Sequence, residues 1–361
     1  MHDTLLLLGA TGDLAARQLF PALAWLLKDR LLPANFRIVA SARQAQSDAD
    51  FRAWLGERIE NEPTTADLGT ADLRALLEHI EYVVTDGSDP NDVAQAFAGY
   101  ADRRCVSYLA TPPNLFESIS VGLDAAGLLT SPSRLVLEKP IGSDLASART
   151  INTAIGTRID EERVYRIDHY LGKAPVQNLL AMRFGNTLLE AVWDKRWIES
   201  VNILVAEISG VNDRLGYYGQ YGALRDMVQN HILQLLCLIA MEPPSSLDAD
   251  TLRDEKVKVL RALRPMRAES VARHAVRGRY EAGVVAGRAV DRFADSSGRV
   301  PDVETFVALE AHIDNWRWSG VPFRLSTGKR LAERCSQIVI NFRPVSHWLF
   351  EKPSSERSQP N

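Results

Sequence analysis

Residues 4 to 23 read TLLLLGATGDLAARQLFPAL. An apolar run of five residues (Thr4–Leu8) meets a turn with Gly9 and Gly12, and helical spacing follows from Asp13 to Asp29. Such a run is too short for a helix and too apolar for a half-exposed strand. It reads as a strand buried on both faces, which demands a parallel sheet covered by helices on either side. No other stretch of the chain narrows the fold as far.

The turn carries a second message. Glycines between a strand and a helix let backbone N–H groups approach a pyrophosphate at the helix N-terminus. Ala15 stands where a third small residue is usual, so the pattern is GxxGxxA rather than GxGxxG. A plain strand-to-helix turn would also use glycines, but this one opens the first strand–helix unit of the chain. Gly9, Thr11, Gly12, Asp13 and Leu14 are therefore candidate cofactor-binding residues. The second strand ends in RIVASARQ, with Arg43 and no carboxylate at its tip. A carboxylate there would grip the ribose hydroxyl of NAD, whereas a guanidinium suits the 2′-phosphate of NADP. NADP is the expected cofactor.

Further apolar runs at Arg37–Ala40, Tyr82–Val84, Val106–Leu109 and Leu135–Leu137 continue the strand series, with helical spacing at Leu115–Ala126. The pattern predicts a Rossmann-like α/β domain over 1–167. Beyond it, Tyr221–Met241 reads as one long helix stopped by Pro243 and Pro244. Strand-like runs follow at Phe306–Ile313 and Gln337–Phe342. This second part, 168–361, is expected to be an α+β domain on a large, mainly antiparallel sheet. The sheet is expected to be incomplete at the C-terminus, its last strand an exposed edge, and the polar tail Lys352–Asn361 is expected to fray.

A net charge of −4 argues against a nucleic-acid or anionic-membrane surface. No stretch approaches 18 apolar residues without charges, and the run Leu5–Leu8 is too short for a signal or a membrane span. Cys105, Cys237 and Cys335 lie far apart, which suggests neither disulfides nor a zinc site, and no metal is expected. A cytoplasmic setting follows as the default.

The stretch RIDHYLGK, Arg166 to Lys173, is too polar for a core strand. His231 falls on the apolar stripe of the long helix, with Met227, Val228 and Leu235 three or four positions away. A satisfied core histidine and a general base both fit that position. A base needs a carboxylate to orient it. On an α-helix Asp226, five positions back, lies about 140° around the axis and faces elsewhere. Asp168 in the polar stretch is the better partner.

GATGDLA (9–15), YLATPP (108–113), EKPIG (138–142), RIDHYLGK (166–173), RFGN (183–186), RDMVQNHILQLLCLIAMEPP (225–244) and WSGVPFRLSTGKRLAER (318–334) occur in this order. From about Thr4 to about Phe350 the chain closely resembles the glucose-6-phosphate dehydrogenases. The resemblance implies oxidation of glucose 6-phosphate at C1 to the 6-phospholactone, with hydride passing to NADP. It is the entry step of the oxidative pentose phosphate pathway. It implies that His231 and Asp168 are catalytic. His169, Tyr170 and Lys173 would hold the sugar phosphate. Lys139 would reach substrate and cofactor, next to a cis bond to Pro140. Glu207, Asp226, Lys329 and Arg334 would complete the substrate site. The family forms homodimers or higher homo-oligomers.

The chain departs from the family in two ways. Gln18 stands where relatives carry a lysine. Relatives also continue well past this C-terminus, over a part that completes the sheet and the dimer interface. Two other readings remain open. One is a weakly active or inactive NADP-binding remnant. The other is a dehydrogenase of a different sugar, which would leave the cations of DHYLGK unexplained.

Overall fold

Strand β1 (Thr4–Leu8) sends Leu6 and Leu8 into one core and Leu7 into another, all essentially inaccessible to solvent. Alternation along a strand puts neighbours on opposite faces, so β1 is covered on both sides. It lies inside a six-stranded, all-parallel sheet of order β3-β2-β1-β4-β5-β6. The other strands are β2 (Arg37–Ala42), β3 (Ile80–Val84), β4 (Cys105–Leu109), β5 (Arg134–Glu138) and β6 (Val164–Ile167). Phe20, Phe51 and Leu55 pack with Leu7 on one face, and Phe116, Ile119 and Leu123 with Leu6 on the other. This is the Rossmann-like order, with its switch point between β1 and β4.

The computed structural model describes residues 3–347 apart from 34, 212–214 and 296, and omits the side chains of 216 and 217. The tail Lys352–Asn361, expected to fray, and the end of the resemblance at Phe350 lie outside the described residues. The chain divides into two compact units, Met1–Ile167 and Asp168–Asn361.

The second unit is built on a five-stranded sheet of order β13-β7-β12-β11-β8. Its strands are β7 (Ile198–Ala206), β8 (Ala275–Gly278), β11 (Phe306–His312), β12 (Pro322–Gly328) and β13 (Cys335–Phe342). A separate hairpin, β9 (Gly283–Val285) with β10 (Arg288–Val290), turns at Ala286 and Gly287, both at positive φ, as a tight two-residue turn requires. The large sheet is mainly antiparallel, but β7 and β12 run parallel. The apolar-run reading missed β7, β8 and β12. In β7 the apolar residues are interrupted by Glu199, Ser200 and Asn202, in β12 they alternate with polar ones, and β8 is a four-residue strand with no buried residue. Strand β13 forms one edge of the sheet among the described residues.

One face of this sheet packs on the helical segment 215–240 through Val201, Ile203, Phe323, Leu325 and Val307. The single helix expected at Tyr221–Met241 is three pieces. A first helix ends at Ala223 with a kink at Gly222, Leu224–Ile232 winds as a π-helix, and Leu233–Ala240 is α-helical. Its C-terminal carbonyls are met by side chains from elsewhere: Arg183 Nη1 to Leu238 O at 2.9 Å, Trp193 Nε1 to Ile239 O at 2.9 Å, and Trp318 Nε1 to Ala240 O at 2.8 Å. Helix ends leave such acceptors without intrahelical donors, and buried ones need partners. Arg183 and Trp318 are fully buried. Among the described residues, no helix is long and apolar enough to cross a membrane.

Candidate active site

In the first unit, the carboxyl ends of β1 to β4 enclose a cleft of about 800 Å³. Gly9, Thr11, Gly12, Ser41, Arg43, Asp86, Ala110 and Thr111 are among its lining residues. Gly9 has φ +90°, and a Cβ there would stand 2.5 Å from Ala110 O, so the turn cannot accept another residue without moving backbone. At Gly12 a Cβ would meet only Gly9 O, at 3.1 Å. The hydroxyls of Ser41 and Thr111 are buried in this lining and make no hydrogen bond. Buried polar atoms are rarely left so, and a polar ligand at the switch point accounts for both. Asp13, Leu14 and Gln18 are exposed on the turn and first helix. Arg43 follows β2 directly and is exposed at the cleft. Asp86 faces the same cleft; the Ser88 N–H chiefly holds its carboxyl below the usual range, with Arg43 contributing.

Lys139 follows β5, and its bond to Pro140 is cis. The preceding Glu138 accepts a hydrogen bond from the Tyr108 hydroxyl, whose titration is pushed up by burial and by that carboxylate.

In the second unit, His231 and Asp168 come together. The distance from His231 Nδ1 to Asp168 Oδ1 is 2.6 Å across 63 residues of sequence. His231 is 1% exposed. Its Nε2 is enclosed and has no hydrogen-bond partner. Asp168 also accepts the Tyr170 N–H at 2.9 Å. Burial pushes the Asp168 carboxyl up, but the His231 hydrogen bond and charge, the Tyr170 N–H and the His169 charge outweigh it, and the net shift is downward. Asp168 is therefore an anion at neutral pH, facing one imidazole nitrogen while the other is free.

His169, Tyr170 and Lys173 gather around this pair, whereas Arg166 bonds Glu161 and Asn152. Tyr170 stacks on His231 with centroids 4.2 Å apart and planes at 20°, and His169 meets His231 edge-on at 4.6 Å. The Lys173 ammonium sits 3.3 Å from the Tyr170 ring centroid. Burial and the charge of Arg334 lower the Lys173 titration, partly countered by Asp168 and Glu207. The Tyr170 hydroxyl is pushed up to about 12 by burial and by Glu207 and Asp168. Lys173 also stands at the N-terminus of helix Ala174–Phe184, where the dipole favours an anion, although Pro175 has no N–H and the Val176 and Gln177 N–H groups bond the Lys173 carbonyl.

Lys329 Nζ pairs with Glu207 Oε2 at 2.6 Å and lies 5.3 Å from the Tyr218 ring centroid. Asp226 is buried, at 4% exposure. The α-helical argument that turned Asp226 away from His231 fails here. A π-helix repeats its hydrogen bonds at i→i+5, so residues five apart share a face. The carboxylate bonded to the imidazole is still Asp168.

Two residues of this neighbourhood had escaped the sequence reading. Tyr218 is buried with its hydroxyl unbonded, and burial with the charges of Asp226, Glu304 and Glu207 pushes its titration up. The tyrosine-rich stretch LGYYGQYG was the signal for it. Glu304 Oε1 accepts the Leu224 N–H at 2.8 Å and its carbonyl accepts the Ala223 N–H at 2.9 Å, which anchors the start of the π-helix. No local pattern marks a contact 80 residues away. Gly222, with φ 68° and ψ 178°, makes room for it: a Cβ there would lie 2.8 Å from Glu304 Oε1. Gly222→Ala is expected to cost about 1–3 kcal/mol. The readout is a lower urea midpoint at unchanged m-value; a wild-type midpoint would refute the strain.

An apolar cavity of about 580 Å³ adjoins Tyr170 and Lys173, lined by Leu179, Met182, Trp193, Ile338 and Phe342 among others. Apart from Tyr170 and Lys173 its named lining is apolar, and neither His231 nor Asp168 belongs to it.

Comparison with known proteins agrees in both halves of the chain. Residues 6–178 match the family described as glucose-6-phosphate dehydrogenase, NAD binding domain, and residues 180–361 match its C-terminal domain. The glucose-6-phosphate 1-dehydrogenase of Zymomonas mobilis is 46% identical over 99% of this chain and 74% of its own length. A crystal structure of glucose-6-phosphate 1-dehydrogenase from Mycobacterium avium superposes with a TM-score of 0.84 at 36% identity, covering 100% of this chain and 76% of that one. A glucose-6-phosphate dehydrogenase in complex with its substrate glucose-6-phosphate gives a TM-score of 0.84 at 34% identity, over 97% and 73%. The chain belongs to the glucose-6-phosphate dehydrogenase family.

Proposed function

We propose that this chain oxidises glucose 6-phosphate at C1 to 6-phosphoglucono-1,5-lactone, with NADP as the hydride acceptor. The observation that carries the proposal is the His231–Asp168 pair, with Nε2 of a buried imidazole left free for a substrate hydroxyl. His231 Nε2 takes the C1 hydroxyl proton, which lets the C1–O bond become a carbonyl as C1 loses hydride. Asp168 holds the imidazole by Nδ1 and stabilises the cation it becomes. A bound nicotinamide dinucleotide supplies the hydride acceptor.

Lys173, His169 and the phenol of Tyr170 are assigned to the phosphate. They lie beside a helix N-terminus, where a dianion gains from the cationic side chains and the helix dipole. Glu207, Lys329, Asp226 and Arg334 are assigned to the sugar side. Glu207 and Lys329 neutralise each other at 2.6 Å, and the carboxylate keeps lone pairs that can accept from sugar hydroxyls while the pair is intact. Lys139 is assigned to the substrate and cofactor side.

For the cofactor, the unbonded Ser41 and Thr111 hydroxyls and the glycine turn fit a dinucleotide. Arg43 is assigned to the 2′-phosphate of NADP, and Thr11, Gly12, Asp13 and Leu14 to the pyrophosphate turn. Arg43→Ala is expected to lower the preference for NADP over NAD by about tenfold or more. The ratio of apparent affinities is the measurement, and an unchanged ratio removes Arg43 from cofactor selection. The reaction itself is tested by following nicotinamide reduction with glucose 6-phosphate and with free glucose. Much faster turnover of the phosphorylated sugar than of free glucose is expected; none with glucose 6-phosphate would overturn the proposal.

A further inference from the structure

The second unit carries another cluster of ligating side chains, on its large sheet and apart from the His231 pair. Glu310 and His312 lie two residues apart on β11, so their side chains leave one face of the strand. His274 ends the helix Ala268–His274 beside β8, and the next residue, Ala275, pairs with Leu309 of β11. Sequence-distant groups are thus brought to one place by strand pairing.

Their distances are specific. Glu310 Oε1 stands 3.4 Å from His274 Nδ1 and 3.3 Å from His312 Nε2. One ligand atom from each of the three residues lies within 4.8 Å of the others. His312 Nε2 and Glu310 Oε1 form one long hydrogen bond, and the His274–Glu310 separation exceeds the usual 2.7–3.2 Å of an N–H···O bond. His274 Nδ1 is enclosed and makes no hydrogen bond. The separations match something else. A tetrahedral ion bound at about 2.0–2.1 Å holds its ligand atoms about 3.3–3.4 Å apart.

We propose that His274, Glu310 and His312 form a binding site for one divalent transition-metal ion of the zinc class. Two neutral imidazoles and one carboxylate are a donor set that such ions favour, with a fourth position for water. The ion ties the end of the helix Ala268–His274 to β11. It would thereby hold the edge strand β8 in the sheet. The spacing of the cysteines had argued against zinc, but this set uses no cysteine. Charged neighbours modulate the site. Arg324 Nε lies 3.5 Å from Glu310 Oε2 and draws on the same carboxylate. Arg273 lines the same groove, and Asp314, which neighbours His312, is held by Arg264.

The experiment is a titration of the full chain with Co²⁺, read by ligand-field absorption, with Zn²⁺ as competitor. One Co²⁺ site is expected that survives His231→Asn, which disables the other histidine cluster, and is lost in His274→Ala and in His312→Ala. Arg324→Gln, which frees Glu310, is expected to tighten binding. Zn²⁺ is expected to raise the thermal midpoint of the wild type but not that of His312→Ala. Absence of bound Co²⁺ in the wild type, or equal stoichiometry in the alanine variants, overturns the proposal. Should an alanine variant fail to fold, as judged by circular dichroism, Arg324→Gln decides, and unchanged affinity there overturns it.

Discussion

His231→Asn is expected to lower kcat by about 10²- to 10⁴-fold while KM for glucose 6-phosphate changes little. The substitution removes Nε2, the enclosed nitrogen with no partner in the protein. Asparagine is small enough to be accommodated and polar enough to meet Asp168, so the packing around the site is largely kept. The loss then falls on proton removal in the transition state and not on substrate binding, which is the signature of a general base. Steady-state kinetics with the purified variant decide it. Retained turnover would show that the C1 proton leaves by another route, and His231 would revert to a buried histidine held by one carboxylate. Circular dichroism guards against a trivial loss, because His231 packs against Tyr170 and His169.

Lys173→Gln is expected to act in the opposite way, raising KM for glucose 6-phosphate by about 10²-fold or more with a much smaller effect on kcat. Lys173 is exposed, so the fold gains little from it. Its charge is concentrated at the helix N-terminus, near Arg334 and over the Tyr170 ring. A phosphate dianion would draw these groups together. Glutamine keeps the length and one donor but loses the charge. The comparison that isolates the phosphate is free glucose: its poor turnover should be nearly the same in both proteins. An unaltered KM for the phosphorylated sugar would take Lys173 out of the phosphate site. The contrast between the two variants also separates the chemistry from the recognition, although the residues lie in one cluster.

Much of this was legible beforehand. The run Thr4–Leu8, its glycine turn and the apolar runs after it imposed a parallel sheet, because a strand buried on both faces has no other home. The polar stretch RIDHYLGK stood out by carrying charges beside Tyr170 and Leu171, and the structure brings Asp168, His169, Tyr170 and Lys173 of it together near His231. The pairing of Asp168 with His231 was reached, though through a flawed step: the helix-face argument assumed an α-helix where the chain winds as a π-helix. In the second unit, β7 and β12 were missed because polar residues interrupt the first half of β7 and alternate along β12, and their parallel pairing links residues more than a hundred positions apart.

The sequence by itself determined the two kinds of architecture, the glycines of the phosphate turn and the identity of the residues that carry charge. These follow from local chemistry: periodicity, turn conformation and side-chain type. The tertiary structure alone decided that Leu224–Ile232 tightens no further than a π-helix, with Glu304 anchoring its first N–H from 80 residues away. It alone sealed His231 from solvent with one nitrogen bonded and the other free, and set Lys329 against Glu207 across 122 residues. The physical reason is the range of the forces involved. Apolar spacing reports which face of a segment is buried, but burial of a polar atom and the partner that satisfies it depend on chain segments that meet only once the sheets are formed.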